Sequence, residues 1–174
     1  MLALKILSKI LKALSSDASP NQLAWGFVLG MFFGVIPFWS LYSIIILVFI
    51  VVLRVNLSMA IAGWLIFELV AFFLDPLFHS VGYALLTQVD FLQPVWAFLS
   101  QSPILSWLSF NNTVMLGSVV ISLVLLLPVF VSSRIFVEYY REKLHPRVQR
   151  LKIVQVFKGT KFYSIIQRAL KLGE

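Results

Sequence analysis

Gly26, Gly30 and Gly34 recur at intervals of four residues and are followed by Pro37. This pattern constrains the chain more than any other. Residues four apart share one face of an α-helix, so the three glycines form a stripe without side chains. Pro37 cannot continue that helix, because it has no amide proton and its ring collides with the preceding turn. Ser19-Pro20 opens the segment, with Ser suited to the cap and Pro to the first turn. Residues 23–36 then make a helix about 21 Å long, short of a hydrocarbon core roughly 30 Å thick. A second apolar run, residues 41–53, is also short and stops at Arg54. Residues 19–54 therefore read as two helices, neither able to cross a bilayer, joined by Pro37-Phe38-Trp39-Ser40.

The rest of the chain shows that a bilayer is the relevant solvent. Of 174 residues, 60% are hydrophobic and only 12% are charged, against about 25% charged in soluble domains. Long apolar runs in such a chain read as membrane spans, and the length suits one membrane domain, residues 1–174. There is no Cys, which excludes a disulfide, a thiol nucleophile and a thiolate metal site.

The net charge is +7, and its distribution gives the topology. Lys5, Lys9, Lys12 and Arg54 lie early, and ten basic residues lie between Arg134 and Lys171. None lies between Val55 and Ser133. Basic residues stay on the cytoplasmic side. If residues 19–54 form a re-entrant hairpin, Arg54 returns to the cytoplasm, one span crosses outward, one crosses back, and every Lys and Arg is inside. A single kinked span would instead place Arg54 outside and require a further crossing. The hairpin is the favoured reading, and the two spans are expected to shield its turn, since non-helical backbone at membrane depth must be covered.

In order, residues 1–16 form an amphipathic helix, with Leu4, Leu7, Leu11 and Leu14 on one stripe and Lys5, Lys9 and Lys12 on another. Lys9 and Lys12 interrupt any signal-peptide core, so the helix is expected on the cytoplasmic membrane surface. Residues 19–54 are the Gly-rich hairpin. Residues 57–88 hold the first span and its continuation, with Asp75-Pro76 expected to end or kink it. Residues 89–112 form a periplasmic segment whose Trp96 and Trp107 suit the headgroup level. Asn112 caps the second span, residues 113–131, which Pro128 can kink. Residues 132–174 are basic cytoplasmic helices.

Several of these residues resemble a known family. Ser19-Pro20, Ala24-x-Gly26-x3-Gly30-x3-Gly34-x2-Pro37, Leu53-Arg54-x-Asn56-Leu57, Gly63-Trp64 and Pro76 resemble small bacterial inner-membrane proteins grouped as domain of unknown function twenty sixty-two. The blocks Leu74-Asp75-Pro76-Leu77-Phe78-His79 and Phe110-Asn111-Asn112-Thr113 are similar to one subgroup, colinear with nearly the whole chain. Glu68-Leu69 stands where the wider family usually has Asn-Pro. The resemblance implies a bacterial inner-membrane location and implies no activity.

Few residues carry chemistry. The Gly26, Gly30 and Gly34 face suits close helix packing first and approach of a headgroup second. Glu68 and Asp75 are seven residues apart on one helix face, with His79 one turn further. Ionisable residues inside a span are functional candidates, because placing them there costs roughly 2.5–3.5 kcal/mol. A proton relay with Glu68 deepest competes with a lone Glu68 that stays protonated or hydrogen-bonds to the hairpin turn. Arg54 is a snorkelling anchor or a ligand for lipid phosphate. The basic C-terminal segment suits anionic headgroups better than nucleic acid, because aliphatic residues interleave with the charges. His79 and His145 fall on opposite membrane sides and share no metal. No catalytic set, cofactor site or phosphate-cradling motif is present, so an enzyme is not expected.

The expected protein is all-α and integral to the bacterial inner membrane: a re-entrant hairpin, two transmembrane helices, amphipathic helices at both cytoplasmic ends. Its expected partners are membrane lipids, further copies of itself or an envelope protein. Two functions remain open. One is a small transporter or lipid-translocating protein. The other is a non-catalytic membrane partner or anchor of a cell-envelope complex.

Overall fold

The computed structural model describes residues 2–101 and 108–144. Helix α1 is Leu2–Leu14, α2 is Pro20–Val35, α3 is Leu41–Val52 and α4 is Leu57–Thr87. A short 3-10 turn at Asp90–Leu92 leads into α5, Gln93–Gln101, and α6 runs Thr113–Tyr139 into a π-type turn at Tyr140–Leu144. The calls for basic helices over residues 145–174, for His145 and for Trp107 lie outside the described residues.

Side-chain caps start four of these helices. Ser19 accepts from the Gln22 amide, Ser40 from Ser43, Asn56 from Met59 and Asn112 from Met115. Each satisfies one of the amides that the first turn leaves without an intrahelical partner. Ile36 leaves helical geometry with ψ 135°, the extended conformation that a following proline imposes.

Two helices, Leu57–Thr87 and Thr113–Lys143 with its π turn included, are long and apolar enough to cross a membrane, at 31 residues each. At 1.5 Å per residue each is about 46 Å long. Asp75-Pro76 does not end the first of them: Pro76 lies inside an uninterrupted α4. A proline there loses one hydrogen bond without ending the element, and the helix beyond it is held by Phe78 and Gly82 against Gly117 and Thr113. The second long helix likewise continues past 131, through Ser132 and Ser133, to Tyr139. The change to charged residues there alters what the helix faces, not its backbone.

The core is a three-helix assembly of α2, α4 and α6. Val28, Met31 and Val35 of α2 are buried with Ala71 and Phe78 of α4, and Val114, Ile121 and Leu125 of α6 close over them. Helices α4 and α6 run antiparallel. Gly117 meets the backbone of Phe78, and Gly82 meets that of Thr113, at one end. At the other end Met59 clusters with Val137 and Tyr140. Helix α1 docks there by Ala13 and Leu14, while Leu7 and Leu11 stay exposed. Arg141 locks this junction by donating from Nε to the Leu14 carbonyl, 2.9 Å, and from Nη2 to the Ala18 carbonyl, 2.7 Å.

Candidate functional site

The glycine stripe determines how α2 lies on α4. A methyl group added at Gly26 would stand 2.6 Å from the Asn56 carbonyl, and one at Gly34 would stand 2.6 Å from that of Trp64. At Gly30 it would collide with the Ala60 carbonyl, and Gly63 of α4 presents the same smooth surface to Phe27. Contacts that advance together along both helices mean that α2 and α4 run parallel with their backbones touching. Small residues permit that approach, and van der Waals contact stabilises it.

Helix α3 then reverses direction. Ser43 Oγ donates to the Pro37 carbonyl, 3.1 Å, and holds the turn closed. Gln22 Nε2 donates to the Arg54 carbonyl, 2.9 Å, and ties the outgoing arm to the incoming one. The two arms thus begin and end at one level. Arg54 itself sits at φ 48°, a left-handed conformation that costs an L residue roughly 1–2 kcal/mol. That sharp reversal lets Asn56 cap α4 immediately afterwards.

The turn lies beside the middle of α4. Gly34 contacts Trp64 and Glu68, and Glu68 is eleven residues past Leu57, about 17 Å along the helix. Phe38 packs edge-on against Phe33 at 5.5 Å between ring centroids, and Phe33 against Trp64 at 5.6 Å. Trp64 Nε1 donates to Glu68 Oε2, 3.0 Å.

Two expectations fail at this turn. The long helices do not enclose it: they pack on α2, whereas Trp39 is 94% exposed and the outer face of α3 is open. The stripe of glycines draws α2 inward, and among the described residues no further helix lies over α3. Glu68 is likewise exposed on the side of α4. Its partner is the indole of Trp64, one turn away, and not the turn backbone.

The three titratable candidates are not joined. Asp75 is exposed and has no hydrogen-bonded or ion-paired partner among the described residues. His79 Nδ1 pairs with Thr113 Oγ1 at 2.7 Å, fastening α4 to the start of α6. Glu68, Asp75 and His79 occupy α4 in succession, and no direct hydrogen bond joins them.

What sequence reading missed is a cavity. A groove of about 340 Å³ with apolar walls runs between α2, α3 and α6. It opens because α3 rests on α2 through Ser43, Ile46 and Ile50 and stands away from α6. Its upper end adjoins a second hollow of about 490 Å³ lined by Ser19, Gln22, Trp25, Leu53, Arg54 and Val55. Trp25 and Leu53 line both. No local signal marks Gln22 or Trp25, since each matters only through a residue about thirty positions away.

Comparison with known proteins places the chain among bacterial proteins. Over 150 residues it is 25% identical to an uncharacterized protein of Treponema pallidum (strain Nichols), covering 86% of this chain and 92% of that one. No solved structure gives a significant match. Residues 5–145, which include the hairpin and both long helices, match the model of the family described as "Uncharacterized protein conserved in bacteria (DUF2062)", and the chain belongs to that family.

Proposed function

We propose that this chain is an integral protein of the bacterial inner membrane. Its α2–α3 hairpin enters the bilayer from the cytoplasmic side and returns there, and the protein moves a lipid or another small amphiphile between the leaflets. One observation carries the reading: the hairpin turn lies beside Trp64 and Glu68, about 17 Å along α4, while Gln22 holds the far ends of the two arms together. In a hydrocarbon core roughly 30 Å thick, the turn comes near the midplane. Broken helices at that depth are how membrane transporters build substrate sites. Exposed Glu68 and Trp39 put the pathway between copies of the chain, because a carboxylate at that depth must face protein or water rather than acyl chains.

Labelling of single cysteines tests the geometry, and the natural chain has no Cys to interfere. Asp17→Cys and Val55→Cys should react with an impermeant maleimide only from the cytoplasmic side, and Gln88→Cys only from the periplasmic side. Reaction of Val55→Cys in intact cells overturns the hairpin. Glu68→Gln preserves shape and removes the charge. The transport reading expects it to abolish transfer of a fluorescent lipid in vesicles while insertion is normal. A second reading, a membrane partner that anchors an envelope complex, draws support from Trp39, an exposed apolar ring backed only at one edge by Phe38. It expects Trp39→Ala to abolish function and Glu68→Gln to leave it intact.

A further inference from the structure

The two hollows meet in a way that neither the glycine stripe nor the family explains. The lower one has apolar walls, contributed by Leu29, Phe32, Ile46, Phe49, Val119 and Leu126. At about 340 Å³ it is within the range of small-ligand sites, roughly 300–1,000 Å³. It lies open along one side between α3 and α6. The upper hollow is lined by Arg54, Gln22 and Ser19, whose side chains carry a guanidinium, an amide and a hydroxyl. Arg54 has no acidic partner among the described residues, where the one ion pair is Arg134–Glu138. Arg54, with φ 48°, lines the upper hollow and directly follows Leu53, which lines both hollows.

We propose that this pair of hollows is a phospholipid site: one acyl chain lies in the α2–α3–α6 groove and the headgroup phosphate sits against Arg54. The proposal rests on the membrane-hairpin reading above. The chemistry matches part by part. A guanidinium offers parallel N–H donors to phosphate oxygens, a geometry that makes arginine a preferred phosphate ligand. Ser19 and the Gln22 carbonyl oxygen add a donor and an acceptor for a glycerol headgroup. The walls below present nothing for a polar molecule to bond. A wholly soluble anion would leave the groove empty, and a hydrocarbon would leave Arg54 unpaired. The side opening lets the chain slide in from the bilayer without being pulled into water.

The test is native mass spectrometry of the full-length protein in detergent, with dioleoyl phosphatidylglycerol as probe. Glycerol phosphate supplies the headgroup alone and dioleoylglycerol the chains alone. The expected result is retention of one phosphatidylglycerol, and at least tenfold weaker retention of either half. Arg54→Gln should weaken phosphatidylglycerol at least tenfold and Arg54→Lys less. Arg134→Gln, at an exposed ion pair, should change nothing. Equal retention by wild type and Arg54→Gln overturns the proposal, as does equal retention of glycerol phosphate. A second measurement does not depend on any variant folding. Phosphatidylglycerol with a photoreactive group in its acyl chain, reconstituted with the wild type, should label residues 25–36, 42–53 and 119–126 above all others. Labelling spread evenly over exposed apolar residues such as Phe72 and Phe73 overturns it. Failure here with the cysteine pattern intact removes the site and leaves the hairpin. Success without leaflet-to-leaflet transfer removes translocation and leaves the site.

Discussion

At Gly30 one methyl group decides whether two helices can touch. A Cβ there would run into the Ala60 carbonyl and stand 2.8 Å from the Trp64 amide nitrogen. Both atoms are backbone, so no side chain can rotate away, and α2 must lift from α4. Overpacking of this kind costs about 1–3 kcal/mol. Gly26→Ala meets its nearest obstacle at 2.6 Å and should cost less. Thermal unfolding in detergent is expected to rank wild type above Gly26→Ala and Gly26→Ala above Gly30→Ala. Ser122 presents the opposite case. Its hydroxyl is fully buried on α6 and has no hydrogen-bond partner among the described residues. An unpartnered buried polar group carries a desolvation penalty of about 1–3 kcal/mol, so Ser122→Ala should unfold at the same temperature as wild type or higher. Ser118, equally buried, donates to the Met115 carbonyl, and Ser118→Ala should gain nothing. Arg54→Gly relieves the left-handed strain and removes the guanidinium together. It should stabilise the fold by about 1 kcal/mol while weakening retention of phosphatidylglycerol.

At the level of elements, what matters is how the short helices are attached to the long ones. Among the described residues, α1 is held through its C-terminal half, by Ile10, Ala13 and Leu14. Arg141 supplies donors to the Leu14 and Ala18 carbonyls, where a cation also complements the negative end of the helix dipole. Hydrogen bonds to a charged group contribute about 1.5–3 kcal/mol each. Arg141→Ala should therefore release α1 and the 15–18 link: hydrogen exchange there should rise by at least tenfold, with α4 protection unchanged. Equal loosening of α4 would mean that Arg141 supports the whole bundle. Much of this level was legible. Ser19 and Asn112 read as caps, Pro37 as a stop, and residues 57–88 and 113–131 as long apolar helices, the second of which runs on to Tyr139, because capping, proline geometry and hydropathy act over a few neighbouring residues. Of the two outcomes expected at Pro76, an end or a kink, the end does not occur: α4 continues to Thr87.

For the molecule as a whole, two glycine clamps hold three helices. One is Gly26, Gly30, Gly34 and Gly63 between α2 and α4. The other is Gly82 and Gly117 between α4 and α6. Gly30 contacts Ala60 and Trp64, and Gly117 contacts Phe78, fourteen or more residues apart on α4 and so about 20 Å or more. Substitutions at sites this distant usually add within about 0.3–0.5 kcal/mol. The double variant Gly30→Ala/Gly117→Ala should lose the sum of the single losses. A loss well beyond the sum would mean that the clamps act as one unit through α4. The arrangement leaves α3 outside both clamps, and the groove exists for that reason: a hairpin drawn in by one arm alone stands open beside α6.

The sequence by itself determined which stretches are helical, where most of them start, and that two of them are long and apolar enough to cross a bilayer. These follow from propensity, capping and hydropathy, which each segment carries without reference to the others. Only the tertiary structure decided that Gln22 closes the hairpin on Arg54 and that Trp25 stands between an apolar groove and a basic rim. Those facts depend on the rotation and offset of one helix against another. Backbone contact at the glycines sets that rotation and offset, and no periodicity within a single segment records it.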